Sequence, residues 1–251
     1  MGHKGRQGPR VLKHAETPQR EHLEARALKP DSYARWRTSL LGRVTERIEQ
    51  EAVLSAAGEL DGLSLLDAGC GDGAYSLLAW RHGATVTALD ASKAMLQAAR
   101  GRAITAGAKI DFVHASVEHL PFASESFDVV LIVTLLCLVG DASLAIREAH
   151  RVLRPSGRLI VGELGSHNLW AVKRRLSGWL GNSLWKNAHF WTAHKLHKLI
   201  TEEGFRVEST KGSIYYPPIG WAAQALWRAE SAMSHLGQYG AAFLTVRAVK
   251  V

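Results

Sequence analysis

The residues of this chain best suited to chemistry lie in one glycine-rich segment, Leu65-Leu66-Asp67-Ala68-Gly69-Cys70-Gly71-Asp72-Gly73. A hydrophobic run leads into this segment, as expected where a β-strand turns directly into a helix. Gly69 and Gly71 can adopt positive φ without strain, so the backbone can pass close under a ligand. The carboxylates of Asp67 and Asp72 would lie near the same ligand. This pattern predicts a nucleotide-type binding site.

Two kinds of cofactor fit the glycine spacing. Gly69, Gly71 and Ala74 satisfy the dinucleotide fingerprint G-x-G-x-x-G/A. Asp90 follows about 20 residues later, where that fold carries an acidic residue for a ribose hydroxyl. The two carboxylates of the turn would repel a pyrophosphate, whereas they would attract an ammonium and a sulfonium. Charge therefore favours S-adenosylmethionine (SAM) over NAD.

Four further motifs follow the glycine turn in the order and spacing of a known family. They are V-T-A-L-D-A-S at 86–92, V-E-H-L-P-F at 117–122, S-F-D-V-V at 126–130 and R-E-A-H-R-V-L-R-P-S-G-R-L at 147–159. Through these motifs, residues 60–165 resemble the class I SAM-dependent methyltransferases. Within that class, the chain is similar to the group that includes the ubiquinone/menaquinone-biosynthesis C-methyltransferases. The resemblance implies a SAM-dependent methyltransferase, with SAM as its cofactor.

The resemblance also implies which residues hold the cofactor. Asp67 would meet the methionyl ammonium, directly or through water, although it could instead cap the following helix. Asp90 would accept both ribose hydroxyls, because two carboxylate oxygens match a vicinal diol. Ala91 and Met95 would lie beside the adenine. The full expected set is Asp67, Gly69, Cys70, Gly71, Asp90, Ala91, Met95, Ser116, Val117, Val133 and Tyr33.

Ser116 departs from the family pattern. Relatives usually have Asp at this position, where it accepts a hydrogen bond from the adenine amino group. A hydroxyl accepts less strongly, while the backbone N–H of Val117 still offers a bond to an adenine nitrogen. We therefore expect weaker cofactor binding and not its loss.

Catalytic side chains are harder to identify. The sequence shows no metal-ligand cluster, and neither a Ser-His-Asp set nor a carboxylate pair stands out. The candidates are His189, as a base, and Cys137, although a buried apolar thiol usually behaves as a small hydrophobe. Methyl transfer does not require such a set, since a sulfonium is already activated and the enzyme mainly aligns the reactants.

These residues need strands and helices to position them, and the two element types alternate along the chain. Periodicity and caps predict a lid helix at 31–60, helices at 73–83, 92–107, 141–153 and 192–204, and strands at 63–67, 85–89, 110–114, 127–133, 158–163, 205–209 and 243–251. Alternation implies right-handed crossovers and a parallel sheet covered on both faces. The family resemblance adds an antiparallel last strand. The predicted fold class is α/β: a doubly wound, mostly parallel, seven-stranded Rossmann-like sheet with helical lid insertions.

Length and charge distribution indicate one α/β domain, residues 31–251, behind a basic tail at 1–30, and the resemblance implies that this is the methyltransferase domain. The net charge is +8 over 251 residues, and seven Lys or Arg against three Glu in the tail account for half of it. We expect this tail to be disordered and solvated. Two cysteines and the lack of a long apolar run favour a reducing, cytoplasmic location.

The methyl acceptor is expected to contact two insertions, 164–191 and 211–240. Both are rich in aromatic residues, which predicts a small, apolar or aromatic acceptor, although the same rings could simply pack the insertions onto the core. Residues 169–180 combine an apolar stripe with neighbouring basic residues. Such a helix can make a peripheral membrane contact, while a solvated charged face is the alternative.

Two other functions fit part of the pattern. An RNA or protein methyltransferase would carry a polar acceptor motif after the strand predicted at 127–133, where the chain has Leu135-Leu136-Cys137-Leu138. Nucleic acid is therefore not the expected partner. A catalytically silent SAM-binding or S-adenosylhomocysteine (SAH)-binding subunit would keep the cofactor motifs but turn over no acceptor. The sequence leaves the methylated atom and the oligomeric state open.

Overall fold

The computed structural model describes residues 30–233 and 237–251. The tail predicted for residues 1–30 thus lies outside the described residues except for its last position, and its character stays a prediction.

The N-terminal segment predicted as one long helix forms two helices, α1 (Pro30–Thr38) and α2 (Leu40–Ala57). Ser39 separates them, because its backbone is extended and its hydroxyl accepts the N–H of Gly42 at 3.0 Å. Gly42 is required at this corner, since a Cβ there would lie 2.0 Å from the carbonyl oxygen of Trp36. The corner lets α1 turn away from the axis of α2.

The sheet has seven strands in the order β3-β2-β1-β4-β5-β7-β6. They are β1 (Ser64–Ala68), β2 (Thr85–Asp90), β3 (Ile110–His114), β4 (Phe127–Val133), β5 (Leu153–Leu164), β6 (Phe205–Ser213) and β7 (Phe243–Lys250). The pairs among β1 to β5 are parallel, whereas β7 runs antiparallel to β5 and β6. The order reverses between β1 and β4, and such a switch point is where doubly wound sheets bind ligands. The predicted fold class is confirmed.

The remaining helices are α3 (Ala74–Arg81), α4 (Lys93–Thr105), α5 (Ala142–Val152), α6 (Leu169–Trp179), α7 (Ser183–Lys186), α8 (Ala193–Glu202), α9 (Gly220–Leu226) and α10 (Glu230–Met233), with a short 3₁₀ turn at Trp227–Ala229. Ser92, Asp141 and Thr192 cap α4, α5 and α8 as the sequence predicts, since each side chain accepts a backbone N–H of the first turn. These caps fix where each helix leaves the sheet.

Two strands differ from their predicted bounds. β5 begins at Leu153 instead of residue 158, because Leu153 pairs with Phe127 before the register shifts. Residues 155–157, predicted to end the preceding helix, therefore form a bulge inside this strand. β6 continues to Ser213, beyond the predicted end at residue 209, because it stays paired with β7 up to Phe243. The second insertion accordingly begins after Ser213.

The sheet is buried on both faces. Leu65 and Leu66 are neighbours on β1 and both are 0% exposed, yet they belong to different hydrophobic clusters. One cluster includes α5 and α8, and the other includes α2. This arrangement explains the nearly continuous apolar sequence of the central strands.

The two insertions pack against each other. Trp170, on α6 in the first insertion, donates its indole N–H to the carbonyl of Tyr216 in the second at 2.9 Å. Asn168 donates to the carbonyl of Ala241 at 2.8 Å, close to the start of β7. Across the described residues, no helix has the length and apolar character that crossing a membrane requires.

Candidate cofactor and acceptor site

A cavity opens at the carboxyl edge of the sheet, beside the switch point between β1 and β4. Its walls come from the glycine turn, the end of β2, the start of α4, the loop after β4 and helix α1. Eight of the eleven expected cofactor residues line it: Tyr33, Gly69, Cys70, Gly71, Asp90, Ala91, Met95 and Val133. The topology thus brings residues from five separate segments to one place.

The glycine turn has the shape of a cradle. Gly69 and Gly71 have φ of 80° and 55°, in the left-handed region that favours glycine. A Cβ at Gly69 would lie 2.6 Å from the side chain of Leu135, so the close packing under the turn needs glycine. A Cβ at Gly71 would meet nothing within 4 Å, so it would occupy open space. The turn therefore fits a ligand that lies directly on the backbone.

Asp90 joins the glycine turn to the end of β2. One carboxylate oxygen accepts the N–H of Gly71 and the other accepts the N–H of Ser92, both at 2.8 Å. Burial raises the pKa of Asp90, and these hydrogen bonds oppose that effect. An ionised carboxylate offers about four lone-pair sites, so two remain for the hydroxyls of a ribose. The residue lines the cavity and its chemistry fits that role.

Asp67 lies under the turn and does not line the cavity. Its side chain is only 2% exposed and accepts the hydroxyl of Ser76, on α3, at 2.5 Å. Burial raises the pKa of Asp67 to about 7, although the Ser76 hydrogen bond opposes this. Its contact with the methionyl ammonium stays a prediction, and any such contact would pass through the turn or a water.

Asp72, the second carboxylate of the turn, is paired with two arginines. Its oxygens lie 3.0 Å from Arg37 on α1 and 2.6 Å from Arg102 on α4. Arg37 also reaches Glu46 on α2 at 3.1 Å, so this network ties both N-terminal helices to the turn. Because two arginines flank Asp72 and Asp67 titrates near neutral pH, the turn is less negative than its sequence suggests. Charge alone therefore does not decide between SAM and NAD.

Ser116 and Val117 lie after β3 and are not among the residues that line the cavity. The hydroxyl of Ser116 donates to the carboxylate of Glu118 at 3.3 Å and accepts the N–H of the same residue at 3.2 Å. Val117 is buried in the main hydrophobic cluster. Their contacts to adenine remain predictions.

The two predicted catalytic candidates lie outside the cavity. Cys137 is buried beside Leu164 and Phe190, and burial raises the pKa of its thiol well above the ordinary value. His189 is exposed, and its ring packs against Trp191 with centroids 4.4 Å apart. Burial and the charge of Lys195 lower the pKa of His189. The backbone N–H of His189 donates to the carbonyl of Cys137 at 2.9 Å, so the two residues share a structural contact.

Glu163 is a buried carboxylate beside the loop after β4 that sequence reasoning missed. It is 0% exposed at the end of β5, and one oxygen accepts the N–H groups of Leu135 and Leu136 at 2.9 and 2.6 Å. These bonds hold the loop after β4, where Thr134 has φ of 50° and faces the cavity. Burial raises the pKa of Glu163 to about 7. The sequence pattern that could have identified Glu163 is a carboxylate at the end of an apolar strand, the same pattern that identifies Asp90.

Comparisons with known proteins agree with this geometry. A family model for the methyltransferase domain matches residues 66–161. A ubiquinone biosynthesis O-methyltransferase of Cereibacter sphaeroides is 32% identical over 189 residues, which cover 72% of this chain and 76% of that protein. An uncharacterised protein of Mycobacterium tuberculosis is 32% identical over 220 residues, covering 87% of this chain and 71% of that protein.

A solved structure shares the fold. A SAM-dependent methyltransferase of Thermotoga maritima, described as a possible histamine N-methyltransferase, superposes with a TM-score of 0.69 at 24% identity and covers 92% of this chain and 100% of its own. The family motifs, the sheet order and the glycine cradle all lead to one assignment. The chain belongs to the class I SAM-dependent methyltransferases, and S-adenosylmethionine is its methyl donor.

Proposed function

We propose that this methyltransferase acts on a small, apolar or aromatic acceptor that enters between helix α1 and the first insertion. When bound, the cofactor supplies a methyl group that its sulfonium already activates. The chain itself must then hold the acceptor, exclude water and receive any proton that the acceptor loses. Asp90, the glycine turn and Met95 hold the cofactor in this proposal, and Tyr33 closes over it.

The aromatic layer of the first insertion supports an acceptor of this kind. Trp185 and Phe190 stack with ring centroids 6.4 Å apart, and Arg174 lies over the rings of both Trp170 and Trp185. Phe190 also packs with Cys137, directly after the loop that borders the cavity. A layer of rings beside a cofactor cavity favours a flat or apolar partner. This layer is the observation that carries the proposal.

The insertion tryptophans do not all have the same role. Trp191 is 8% exposed and belongs to the main hydrophobic cluster, so it serves the fold. Trp170 is also buried, and its indole N–H has a backbone partner. Trp185 is only partly buried and is the ring best placed to meet an acceptor.

The relatives support oxygen as the methylated atom. Several proteins named ubiquinone biosynthesis O-methyltransferase are 31–32% identical to this chain. Their shared name places transfer on oxygen, and a hydroxylated aromatic compound would satisfy both this and the aromatic layer. We therefore propose O-methylation of such an acceptor.

A membrane contact belongs to the same proposal. Helix α6 ends at Trp179, 85% exposed, and is followed by Leu180, 78% exposed; the helix also carries the exposed cations of Lys173 and Arg175. An apolar stripe flanked by cations matches the surface of an anionic bilayer. Such a contact would bring an apolar acceptor to the first insertion, of which this helix is part.

The test uses SAM with an isotopically labelled methyl group and acceptors of three classes. Catechol, 4-alkylcatechols and hydroxybenzoates represent the proposed class, while transfer RNA and a mixed protein substrate represent the alternatives. We expect label in the aromatic compounds, and label confined to RNA or protein would overturn the proposal. Trp185→Ala should lower turnover while keeping the dissociation constant for SAH within about threefold. Trp221→Ala, at an exposed ring of the second insertion, is the matched control.

A further inference from the structure

Glu49 is a buried carboxylate that no contact explains. It lies on the inward face of α2, four residues from Thr45 and from Val53, and is 7% exposed. Thr45 is satisfied, because its hydroxyl lies 3.0 Å from that of Tyr216. The side chain of Glu49, by contrast, makes no hydrogen bond or ion pair with any other described residue. A buried carboxylate without a partner is costly, so its presence needs a reason beyond stability.

Arg174, in the first insertion, lies close to the same part of α2. The ring of Trp170, one turn before Arg174 on α6, packs edge-on against Tyr216, whose hydroxyl lies 3.0 Å from that of Thr45. The guanidinium of Arg174 lies 5.2 Å from the ring centroid of Trp170 and 5.1 Å from that of Trp185. The Nη1 group is buried and has no hydrogen-bond partner in the described part of the chain. Flanking rings leave the planar edge of a guanidinium free, and that edge matches a carboxylate or another anionic oxygen.

The two charges interact but do not touch. Burial raises the pKa of Glu49 to about 7, and the charge of Arg174 opposes this effect. Burial lowers the pKa of Arg174, and the charge of Glu49 opposes that effect. Within the described residues, no ion pair joins them at 4.0 Å or less. A direct pair would have been the cheapest arrangement for two buried opposite charges. Neither charge therefore has the other as a direct ionic partner.

Glu49 lies one turn from a residue that reaches the wall of the cofactor cavity. Glu46, three residues before it on α2, pairs at 3.1 Å with Arg37, which lines the cavity. Burial raises the pKa of Tyr33 and of Tyr75, which also line the cavity, and the charge of Glu49 adds to this effect. Burial raises the pKa of the Cys137 thiol, after β4, and the charge of Arg174 opposes this effect. The ionisable groups around Glu49 are Tyr33, Arg37, Glu46, Tyr75, Arg174 and Tyr216. The pair thus flanks the lid side of the cavity, where an acceptor must approach.

We propose that Glu49 is the general base of the reaction and that Arg174 anchors a carboxylate of the acceptor, which is an aromatic acid with a ring hydroxyl. This inference deepens the proposed function and rests on it. The ring would lie along Trp185, with its carboxylate on Arg174 and its hydroxyl toward Glu49. An O–C bond forms with an electron pair of the acceptor oxygen, while the S–C bond of the sulfonium breaks and leaves its pair on sulfur. The hydroxyl proton passes to the carboxylate of Glu49.

The charges balance in this arrangement. Arg174 gains the anionic partner that it lacks in the protein alone, and Glu49 takes up a proton as the methyl group is transferred. A base contributes most when its pKa lies close to the working pH, and an ordinary exposed carboxylate would be too weak. Burial of Glu49 is therefore suited to its proposed role.

The test combines binding with kinetics on the full chain. With SAH present, calorimetry compares 3,4-dihydroxybenzoate, catechol and benzoate as ligands. We expect wild type to bind the dihydroxybenzoate at least about tenfold more tightly than catechol. Arg174→Gln should abolish this preference for the carboxylate and keep SAH affinity within about threefold. Benzoate, which lacks a hydroxyl, reports the contribution of the anchor alone.

Glu49→Gln tests the base, because it keeps the shape of the side chain. It should lower kcat by about 100-fold or more and leave KM within about threefold. Arg174→Gln should instead raise KM. Glu51→Gln, exposed on α2, and Arg206→Gln, exposed on β6, are the matched controls and should change neither constant. Because Glu49→Gln removes a buried charge, it should not lower the melting temperature below that of the Glu51→Gln control.

The outcomes separate the two proposals. Methylation of catechol in preference to the dihydroxybenzoate would retain the proposed function and overturn the anchoring role of Arg174. An unchanged kcat in Glu49→Gln would remove Glu49 as base. If wild type methylates none of the aromatic compounds, the proposed function fails, and the binding arm still decides whether Arg174 recognises the carboxylate.

Discussion

Asp90→Asn is the sharpest perturbation of the cofactor site. The carboxylate accepts one backbone N–H with each oxygen, from Gly71 and from Ser92, both at 2.8 Å. Asparagine keeps the shape but replaces one oxygen with an NH₂ group, which would face a donor. Whichever way the amide turns, one of the two hydrogen bonds to the backbone is lost.

The magnitude follows from these bonds. A hydrogen bond to a charged group contributes about 1.5 to 3 kcal/mol, so Asp90→Asn should lower the free energy of unfolding by roughly that amount. Asp90→Ala would lose both bonds, about 3 to 6 kcal/mol, which approaches the whole stability of many domains. Asparagine is therefore the informative variant.

Cofactor affinity should fall as well. If the remaining lone pairs of Asp90 accept the ribose hydroxyls, asparagine also loses one of those two bonds. The dissociation constant for SAH should then rise roughly 10- to 150-fold, which corresponds to about 1.5 to 3 kcal/mol. Urea denaturation measures the stability, and calorimetry measures SAH binding. Asp111→Asn, at an exposed carboxylate on β3, is the control for both measurements.

Two outcomes of the stability and binding measurements would contradict this prediction. Lower stability with unchanged SAH affinity would mean that Asp90 only braces the glycine turn and does not contact the ribose. Unchanged stability with unchanged affinity would refute the structural reasoning as well.

Two further predictions concern pH and membranes. Because burial raises the pKa of Asp67 and of Glu163 from ordinary values of 3.8 and 4.5 to about 7, the folded chain holds protons that the unfolded chain has lost. Their contribution to the free energy of unfolding should be complete below about pH 4 and should be lost as pH rises to about 7. In denaturation series at different pH, Asp67→Asn or Glu163→Gln should each reduce the dependence of this free energy on pH by up to about 1.4 kcal/mol per pH unit. Equal pH dependence in the variants and wild type would contradict this. Trp179→Ser should weaken sedimentation with anionic phosphatidylglycerol vesicles severalfold without changing the melting temperature, whereas unchanged sedimentation would exclude α6 as the membrane contact.

The cofactor half of the molecule was predictable because its signals are local. The glycine turn, the apolar strands and the caps at Ser92, Asp141 and Thr192 are all encoded within a few neighbouring residues. The break between α1 and α2 was not, although Ser39 and Gly42 indicate it in retrospect. Helical periodicity continues through that corner, and only the close approach of Gly42 to Trp36 shows why the chain must turn there.

Charges were harder to predict than shapes. In the sequence Asp72 looks like a free negative charge that favours SAM; the cofactor is SAM, although this charge is paired in the fold. Arg37 and Arg102, which pair with Asp72, lie 35 and 30 residues away in sequence. Similarly, the burial of Asp67 depends on α3 and on the sheet. Local sequence shows that a carboxylate is present, but its effective charge depends on partners that only the fold brings close.

For the residues on the acceptor side, local sequence was an even poorer guide to the surroundings of charged side chains. Sequence reasoning searched for side chains that are reactive in water, and so it selected His189 and Cys137. The base and the anchor proposed above, Glu49 and Arg174, are instead 125 residues apart and belong to different lid segments. A glutamate in a helix is ordinarily a solvated charge, but one that shares a face with Thr45 and Val53 must be buried. Because burial is what makes a carboxylate basic, an acidic residue on the apolar face of a lid helix is the sequence feature to look for when a methyltransferase has no evident base.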